Sequence, residues 1–244
     1  SEMCIRDSKN GKWMLKLKPM QGSSHALNLT IKSEDDSITF SNIVIGEVWV
    51  CSGQSNMQWS VNQVYDSDLE SMSANYPNIR IISVPQIGTQ ENQDDFNGQW
   101  DICTPDTVGQ FSAVGYFFGR QLHQTLGVPI GLVDNAWGGS SAEAWVDRDV
   151  LEADERFEAV IAEWEKTEAT FDFDKAMAAW KEKAAEAKEA GKPAPRSPRN
   201  VLAGQHRPGN LWAGVLNPII GYGIRGTIWY QGESNAGRAY QYDD

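Results

Sequence analysis

The chain has 244 residues, of which 41% are hydrophobic, and this predicts one full globular domain together with a partial one. Its formal net charge of -12 argues against nucleic-acid binding, because phosphate groups require clustered Lys and Arg. No apolar run approaches the length of a membrane span, and the three cysteines do not make a paired framework.

Antiparallel strands are predicted near the start of the chain. Apolar and polar residues alternate with a period of two over residues 11–17, 26–32 and 37–40. This alternation is typical of strands that bury one face and expose the other.

A serine at a strand end is the most informative feature of the chain. An apolar run over residues 44–51 predicts a strand, and Gly53 permits a tight turn that delivers Ser55. A serine placed there is exposed at a fixed position, and the helix that follows directs backbone N–H groups at a developing oxyanion. Because Met57 stands where the Gly-x-Ser-x-Gly elbow has its second glycine, an ordinary α/β-hydrolase is disfavoured. The alternative is a polar turn without a catalytic role.

Strand and helix signals alternate through the middle of the chain. The predicted elements are a strand over residues 79–84, a helix over 111–126 and a strand over 130–135. Residues 86–109 have few periodic cues and stay unassigned. The last strand leads to Gly138 and Gly139, whose N–H groups can hydrogen-bond a substrate oxygen. The alternative is that both glycines only shape a turn.

Residues 147–200 are rich in Ala, Glu and Lys and predict a helical insertion. Apolar residues recur three and four apart in two stretches, which indicates two amphipathic helices with a break at residues 167–172. Residues 191–198 predict an extended linker that returns to the core. The insertion is either a lid over the substrate site or a solvated decoration.

A further predicted strand, residues 226–230, runs into a polar cluster that contains Gln231, Glu233 and Asn235. The alternation of strands and helices predicts a parallel, doubly wound sheet. The carboxyl ends of parallel strands meet at one edge, so the three polar strand ends are expected to converge there.

Four ordered blocks of the sequence resemble one known family. They are residues 46–57, 136–140, 210–218 and 228–235. Together they resemble the sialate O-acetylesterase group of the SGNH (GDSL-like) carbohydrate acetylesterases. The resemblance implies a flavodoxin-like, three-layer α/β/α hydrolase domain with a parallel sheet over residues 44–244. It also implies that residues 1–43 are the remnant of a β-rich accessory domain.

The resemblance implies acyl transfer to water, with Ser55 as the nucleophile and an acetyl-enzyme as the intermediate. The oxyanion donors would be the Ser55 N–H, the N–H of Gly138 or Gly139, and the side-chain amide of Gln231. Glu233 is expected to be buried, where it orients the base, fixes Gln231 or binds a cation. The candidates for that cation are Arg225 and Arg238, and the supporting residues are Gln54, Asn56, Glu233 and Asn235.

The catalytic base of the resembled family is missing from this sequence. That base is a histidine in a late Asp-x-x-His block, and no such block occurs here. His123 is assigned to a helix as a surface or packing residue, His206 lies in a polar loop, and His25 precedes the sheet. We therefore expect a fragment that lacks its base, truncated at its C-terminal end.

The expected partner is an acetylated carbohydrate, with no nucleic acid and no membrane. Five tryptophans can stack on a sugar or pack in the core: Trp49, Trp59, Trp137, Trp145 and Trp229. No metal or organic cofactor is implied, since zinc-ligand spacing, Walker loops and dinucleotide fingerprints do not occur. The resemblance suggests a periplasmic or secreted location, and the oligomeric state stays open.

The sequence also fits two other functions. A non-catalytic carbohydrate-binding domain would keep the aromatic residues without needing a base. A glycoside hydrolase would pair Glu233 with a second carboxylate, from Glu47, Asp134 or Glu143, although this leaves Ser55 unexplained.

Overall fold

The computed structural model describes residues 15–243. The predicted strand over residues 11–17 begins outside this range, and residues 15–17 have no regular secondary structure. The next two predicted strands are confirmed and are longer than expected, since β1 (Ser23–Lys32) and β2 (Ser37–Ile45) pair antiparallel. They form a two-stranded sheet of their own, and most of their side chains are exposed.

Five strands form the central sheet. They are β3 (Glu47–Gly53), β4 (Tyr76–Ser83), β5 (Asp101–Cys103), β6 (Ile130–Asp134) and β7 (Gly226–Tyr230). Their order is β5-β4-β6-β3-β7, in which β5 is antiparallel and the other four strands are parallel. The predicted α/β sheet is confirmed. The segment left unassigned by the sequence contributes β5, an antiparallel edge strand.

The predicted strand over residues 44–51 is divided in the structure. β2 ends at Ile45 and β3 begins at Glu47, so Gly46 separates the hairpin from the central sheet. A Cβ atom at Gly46 would overlap the backbone of Pro129, and this close approach therefore requires glycine. The expectation of one continuous strand was wrong because a run of apolar residues does not show where the backbone of a distant segment comes close.

Helices connect the strands and cover both faces of the sheet. The α-helices are α1 (Ser55–Gln58), α2 (Ser67–Ser73), α3 (Ala113–Leu126), α4 (Arg148–Glu152), α5 (Glu158–Thr170) and α6 (Phe173–Glu189). Shorter 3-10 or π-helical segments span Val61–Gln63, Ala142–Trp145, Glu155–Phe157, Val201–Ala203, Trp212–Leu216, Asn217–Ile219 and Glu233–Asp243. Within residues 15–243, no helix combines the length and apolar character needed to cross a bilayer.

The sheet is buried on both faces, which explains the nearly continuous apolar sequence of β3. On one face Cys51 and Leu132 pack with Tyr116 of α3 in one cluster. On the other face Val50 and Val133 pack against the short helical segments, in a second cluster that includes Trp145, Leu211 and Val215. Strands buried on both faces lose the clean alternation of a half-exposed sheet.

Helix α3 confirms the helix predicted over residues 111–126. The hydroxyl of Ser112 accepts a hydrogen bond from the N–H of Gly115, which caps the start of the helix. The helix ends at Gly127, whose φ of 67° is the left-handed conformation typical of a C-terminal cap.

The predicted insertion is helical and consists of α4, α5 and α6. The break between the two longer helices is shorter than expected, because α5 continues to Thr170 and only residues 171–172 separate it from α6. Glu168 of α5 binds both Arg148 and Arg207, at 2.5 Å and 2.8 Å, and this fastens α5 to the domain. No residue of α6 is buried, so the second helix packs loosely.

Candidate active site

Ser55 lies at the carboxyl end of β3 because of the turn that Gly53 makes. Gly53 has a φ of 129°, which favours glycine, and a Cβ atom there would overlap the backbone of Tyr230 in β7. Helix α1 begins at Ser55, and the Ser55 side chain is exposed. The turn therefore presents the hydroxyl to solvent at the edge of the sheet where parallel strands end.

Both neighbours of Ser55 are fixed to the segment after β7. The backbone N–H of Gln54 donates to the carbonyl of Tyr230 at 2.8 Å, and the buried Gln54 side chain accepts weak hydrogen bonds from the N–H groups of Gly232 and Ser234. Asn56 Nδ2 donates to Glu233 Oε1 at 2.7 Å. These contacts restrain the backbone on either side of the serine.

One of the two glycines after β6 contacts the serine directly. The N–H of Gly139 donates to Ser55 Oγ at 3.2 Å, and Gly139 has a φ of 73°. The N–H of Gly138 instead donates to Gln58 Oε1 at 2.5 Å. Of the two alternatives left open by the sequence, the structure places the Gly139 N–H at the serine hydroxyl.

The side-chain amide of Gln231 lies next to the glycine pair, but it is already hydrogen-bonded to other groups of the protein. Its Nε2 donates to the carbonyl of Ser140 at 3.3 Å and to Asn235 Oδ1 at 3.2 Å. Asn235 is buried, and its Oδ1 also accepts from the N–H of Ala142 at 2.8 Å. Gln231 and Asn235 thus connect the segment after β7 to the segment after β6.

A buried ion pair reinforces this connection, and sequence reasoning missed it. Glu143 is 8% exposed and accepts from Asn235 Nδ2 at 2.7 Å and from Arg238 at 2.5 Å. The sequence identified Glu143 only as a possible partner in a glycoside hydrolase. Its two donors lie 92 and 95 residues away, so no local pattern marks the pair.

The expected burial of Glu233 was wrong, whereas its supporting role stays a prediction. The side chain is exposed, and it accepts from Asn56 rather than from either of the two expected arginines. Arg238 binds Glu143, and Arg225 lies 3.6 Å from Glu47. Glu233 and Ser234 lie on the exposed side of the segment that follows the edge strand β7, whereas Asn235 in the same segment is buried.

None of the three histidines lines the cleft at Ser55, as the described residues form it. His25 lies in the exposed hairpin, beside Ser23. His123 Nδ1 lies 2.7 Å from the carbonyl of Val128. His206 is exposed and its Nδ1 lies 2.8 Å from Ser141 Oγ, near the glycine pair but outside the cleft lining.

A cleft of about 510 Å³ opens beside Ser55. It is lined by Ser55, Gln58, Trp59, Ser60, Gln63, Ser83, Val84, Gln86, Gln110, Asp134, Ala136 and Gly138. Of the five tryptophans considered as sugar platforms, Trp59 alone belongs to this lining, and it is 50% exposed. Trp49 packs against Phe118, and Trp145 packs against Trp229.

Asp134, the last residue of β6, places a carboxyl group in this cleft. It is 9% exposed, and burial raises its pKa from 3.8 to about 7, while hydrogen bonds from the backbone at Ala136 and Ser112 partly offset the effect. Burial and the nearby Asp134 also raise the pKa of the Cys51 thiol, which therefore stays protonated. Among residues 15–243, no second carboxylate suited to glycoside hydrolysis lines the cleft, and Glu47 begins β3 at the opposite end of that strand.

Comparison with known proteins gives a consistent result. The family model described as carbohydrate esterase, sialic acid-specific acetylesterase, matches residues 45–180. The chain is 32% identical to the sialate O-acetylesterase of Mus musculus, over 92% of this chain and 42% of that protein. It is 30% identical to the sialate O-acetylesterase of Homo sapiens, over 91% of this chain and 38% of that protein.

A solved structure resembles the fold as well. The crystal structure of a carbohydrate acetylesterase from Xanthomonas citri superposes with a TM-score of 0.61 at 28% sequence identity, covering 86% of this chain and 38% of that chain. The chain therefore spans less than half the length of each of these proteins.

Proposed function

The chain belongs to the carbohydrate esterase family of sialic acid-specific acetylesterases, and on that premise we propose that it carries the nucleophile of a serine esterase that removes O-acetyl groups from carbohydrates. The observation that carries this proposal is the 3.2 Å contact between the Gly139 N–H and Ser55 Oγ. A backbone donor at the nucleophile is what an acyl-transfer site needs, because the carbonyl oxygen gains negative charge beside that atom.

In the proposed reaction, Ser55 Oγ attacks the acetyl carbonyl carbon and its proton passes to a base. The bond from that carbon to the sugar oxygen then breaks, the sugar leaves as an alcohol with a proton, and Ser55 carries the acetyl group. Water attacks the acetyl-enzyme and releases acetate. Asn56 and Gln54 keep Ser55 in place through their contacts with the segment after β7.

The proposed oxyanion donors are the N–H groups of Ser55 and Gly139. Each such donor contributes about 3 kcal/mol to stabilising the transition state. Gly138 is the weaker candidate, because its N–H is already bound by Gln58. Gln231 reaches the oxyanion only if its amide releases the carbonyl of Ser140, so we propose it as a third donor that moves when substrate binds.

We propose that the base lies outside the described residues. None of the three histidines within residues 15–243 lines the cleft, and the resembled family places its base in a later Asp-x-x-His block.

The separate β1–β2 hairpin supports the proposed division into an accessory remnant over residues 1–43 and a hydrolase domain over residues 44–244, with its insertion at 147–200.

The proposal is tested by trapping the intermediate in the full-length protein. A nitrophenyl acetate is mixed with the enzyme, the reaction is quenched in acid, and peptides are analysed by mass spectrometry. We expect one acetyl group on the peptide that contains Ser55, and no hydrolysis of nitrophenyl glycosides. Acetylation elsewhere, or glycoside cleavage, would refute the proposal. Saturable binding of acetylated sugar without turnover would instead identify a carbohydrate-binding domain.

A further inference from the structure

The turn that follows β6 carries, on its central peptide, the backbone donor that contacts Ser55. The N–H of Ser140 donates to the carbonyl of Trp137 at 3.2 Å, which closes a four-residue turn with Gly138 and Gly139 in the middle. Gly139 has a φ of 73° and the φ of Gly138 is not positive, which is the pattern of a type II turn. The central peptide of this turn joins the carbonyl of Gly138 to the N–H of Gly139.

A type I turn would point the same peptide the other way. Types I and II close the same four residues, but the central peptide of one is rotated by roughly half a turn relative to the other. Most residues disfavour the positive φ that type II requires, whereas glycine adopts either sign of φ about equally. The glycine pair therefore leaves both forms open, and contacts from outside the turn decide whether the Gly139 N–H faces Ser55.

Gln205 contacts the carbonyl end of the central peptide. Its Nε2 donates a long hydrogen bond, 3.4 Å, to the carbonyl of Gly138. The C=O and N–H of a trans peptide point in opposite directions, so a donor at the carbonyl directs the Gly139 N–H to the other side, where Ser55 Oγ lies at 3.2 Å. A Cβ atom at Gly139 would lie 3.4 Å from the same Nε2, so the amide packs directly against this peptide. In a type I turn the Gly139 N–H would face the Nε2 donor, and two donors cannot bond.

The backbone around Gln205 is held on both sides. Before it, the fully buried Asn210 donates to the carbonyl of Gly204 at 2.8 Å. After it, His206 Nδ1 lies 2.8 Å from Ser141 Oγ, and the carbonyl of Gln205 itself accepts from the N–H of Ser141 at 3.2 Å. The amide donor of Gln205 is therefore presented to the turn from a fixed position.

We propose that Gln205 is a positioning residue for the reaction, because it holds the turn in the type II form and so directs the Gly139 N–H at Ser55. The inference rests on the proposed roles of Ser55 and Gly139 and deepens them, since it names the side chain that keeps the oxyanion donor in place. A group at position 205 that accepts hydrogen bonds but cannot donate them should favour the reversed peptide.

The test replaces the amide of Gln205 by two side chains of similar length in the full-length protein. Gln205→Glu keeps the shape, but at pH 8 its carboxylate accepts and does not donate, so it should attract the Gly139 N–H and reverse the peptide. Gln205→Met removes the donor and adds only a weak acceptor. The values of kcat and KM for acetyl-ester hydrolysis are measured. The same two changes at Gln121, an exposed residue of α3 outside the cleft lining, are the matched controls.

We expect Gln205→Glu to lower kcat about a hundredfold, as loss of one oxyanion donor does, and Gln205→Met about tenfold, because the released turn still samples the productive form. In each variant kcat/KM should fall by the same factor as kcat, since the donor acts in the transition state. The Gln121 variants should match the parent. Unchanged rates in the Gln205 variants would overturn the proposal. Equal losses in both, or a change in KM alone, would indicate a packing role and would overturn it as well.

A crystal structure of the full-length Gln205→Glu variant shows the orientation of the peptide directly. We expect a negative φ at Gly139 and an N–H that no longer faces Ser55 Oγ. A turn that keeps its positive φ and its contact with Ser55 would overturn the proposal even if the rate has fallen, because a carboxylate can also slow the reaction by its charge alone.

The inference and the esterase proposal fail in different ways. If the peptide reverses in the variant but the parent forms no acetyl-enzyme at Ser55, the esterase proposal fails and the orienting contact of Gln205 stands. If the parent is acetylated at Ser55 but the turn of the variant is unchanged, the esterase proposal stands and Gln205 has no positioning role.

Discussion

The residues at the carboxyl ends of the parallel strands, 53–58, 134–143 and 231–238, are called the strand-end cluster. Polar side chains in this cluster connect distant parts of the chain, whereas those of the helical insertion mostly connect residues that are close in sequence. Asn56 and Glu233 in that cluster are 177 residues apart. In the insertion, the bonds of Asp154 to Arg156 and of Arg148 to Glu152 span two and four residues.

Glu168 and Arg148 are exceptions in the insertion, since Glu168 binds Arg207 at a separation of 39 residues and Arg148 donates to Gln90 at a separation of 58. The comparison indicates that the geometry at Ser55 depends on long-range contacts within the cluster. The insertion is fastened by the ion pairs of Glu168, by the contact of Arg148 with Gln90 and by the buried side chains of Leu151 and Ile161. Four variants, in descending order of expected effect, test this difference.

Ser55→Ala should have the largest effect. Loss of a nucleophile lowers the rate by about a millionfold, which corresponds to about 8 kcal/mol of transition-state stabilisation. The measurement is the rate of acetyl-ester hydrolysis by the full-length protein. Ser83→Ala, which changes another serine of the same cleft, is the matched control and should lower the rate less than about tenfold. Comparable losses in both variants would show that the cleft matters but that Ser55 is not the nucleophile.

Asp134→Asn should change the pH dependence of stability. Burial raises the pKa of Asp134 from 3.8 to about 7, so between these values the folded state holds a proton that the unfolded state has lost. The free energy of unfolding contributed by this group therefore falls as the pH rises from about 4 to about 7. Above pH 7 the variant should be more stable than the parent by about 4 kcal/mol at most.

This is measured by urea unfolding of the chain at pH 4 and at pH 8. The exposed Asp106 offers a control, since Asp106→Asn should shift both midpoints little. If the free energy of unfolding of Asp134→Asn differs from that of the parent by the same amount at both pH values, the carboxyl of Asp134 does not titrate as stated.

Asn235→Ala should destabilise the cluster by about 2 kcal/mol. The change removes a donor from the buried Glu143 carboxylate and leaves the N–H of Ala142 without its acceptor. Unfolding in urea measures the loss, and acetyl-ester hydrolysis should fall with it because Gln231 loses a partner. Asn62→Ala, at an exposed asparagine, is the control. If both variants unfold with the same free energy, the hydrogen bonds of Asn235 do not stabilise the cluster.

Glu168→Gln should have the smallest effect, about 1 kcal/mol on stability and none on hydrolysis. It weakens the partly buried pairs with Arg148 and Arg207, so backbone amides of α5 should exchange faster. Arg156→Ala, which removes an exposed local pair, is the control for exchange. A large loss of hydrolysis, or protection of α5 by acetylated ligand, would instead identify the insertion as a lid.

Sequence reasoning found the elements whose signals are local. The strand and turn that present Ser55 show an apolar run, a glycine and a serine within a few residues, and α3 shows a helical periodicity. The division at Gly46 and the three-residue strand β5 escaped because neither has a pattern long enough to detect.

The site was only partly predictable for a related reason. Sequence alone could not choose between Gly138 and Gly139, since the choice depends on Gln58, which binds one of the two N–H groups. The exposure of Glu233 and the pairing of Glu143 with Arg238 depend on how the segment after β7 packs against the segment after β6, and this long-range packing leaves no local pattern. The pKa of Asp134 depends on burial, which has no sequence signature of its own.

The contact of Gln54 with the segment after β7 has a consequence for how the molecule assembles. Gln54 and Gly232, whose side-chain oxygen and backbone N–H are hydrogen-bonded, lie 178 residues apart, so a ribosome must add all of these residues before the two groups can meet. Contacts of such long range close slowly, because the intervening chain must first be brought together. During synthesis, Ser55 is therefore fixed against the segment after β7 later than features that are held by local contacts.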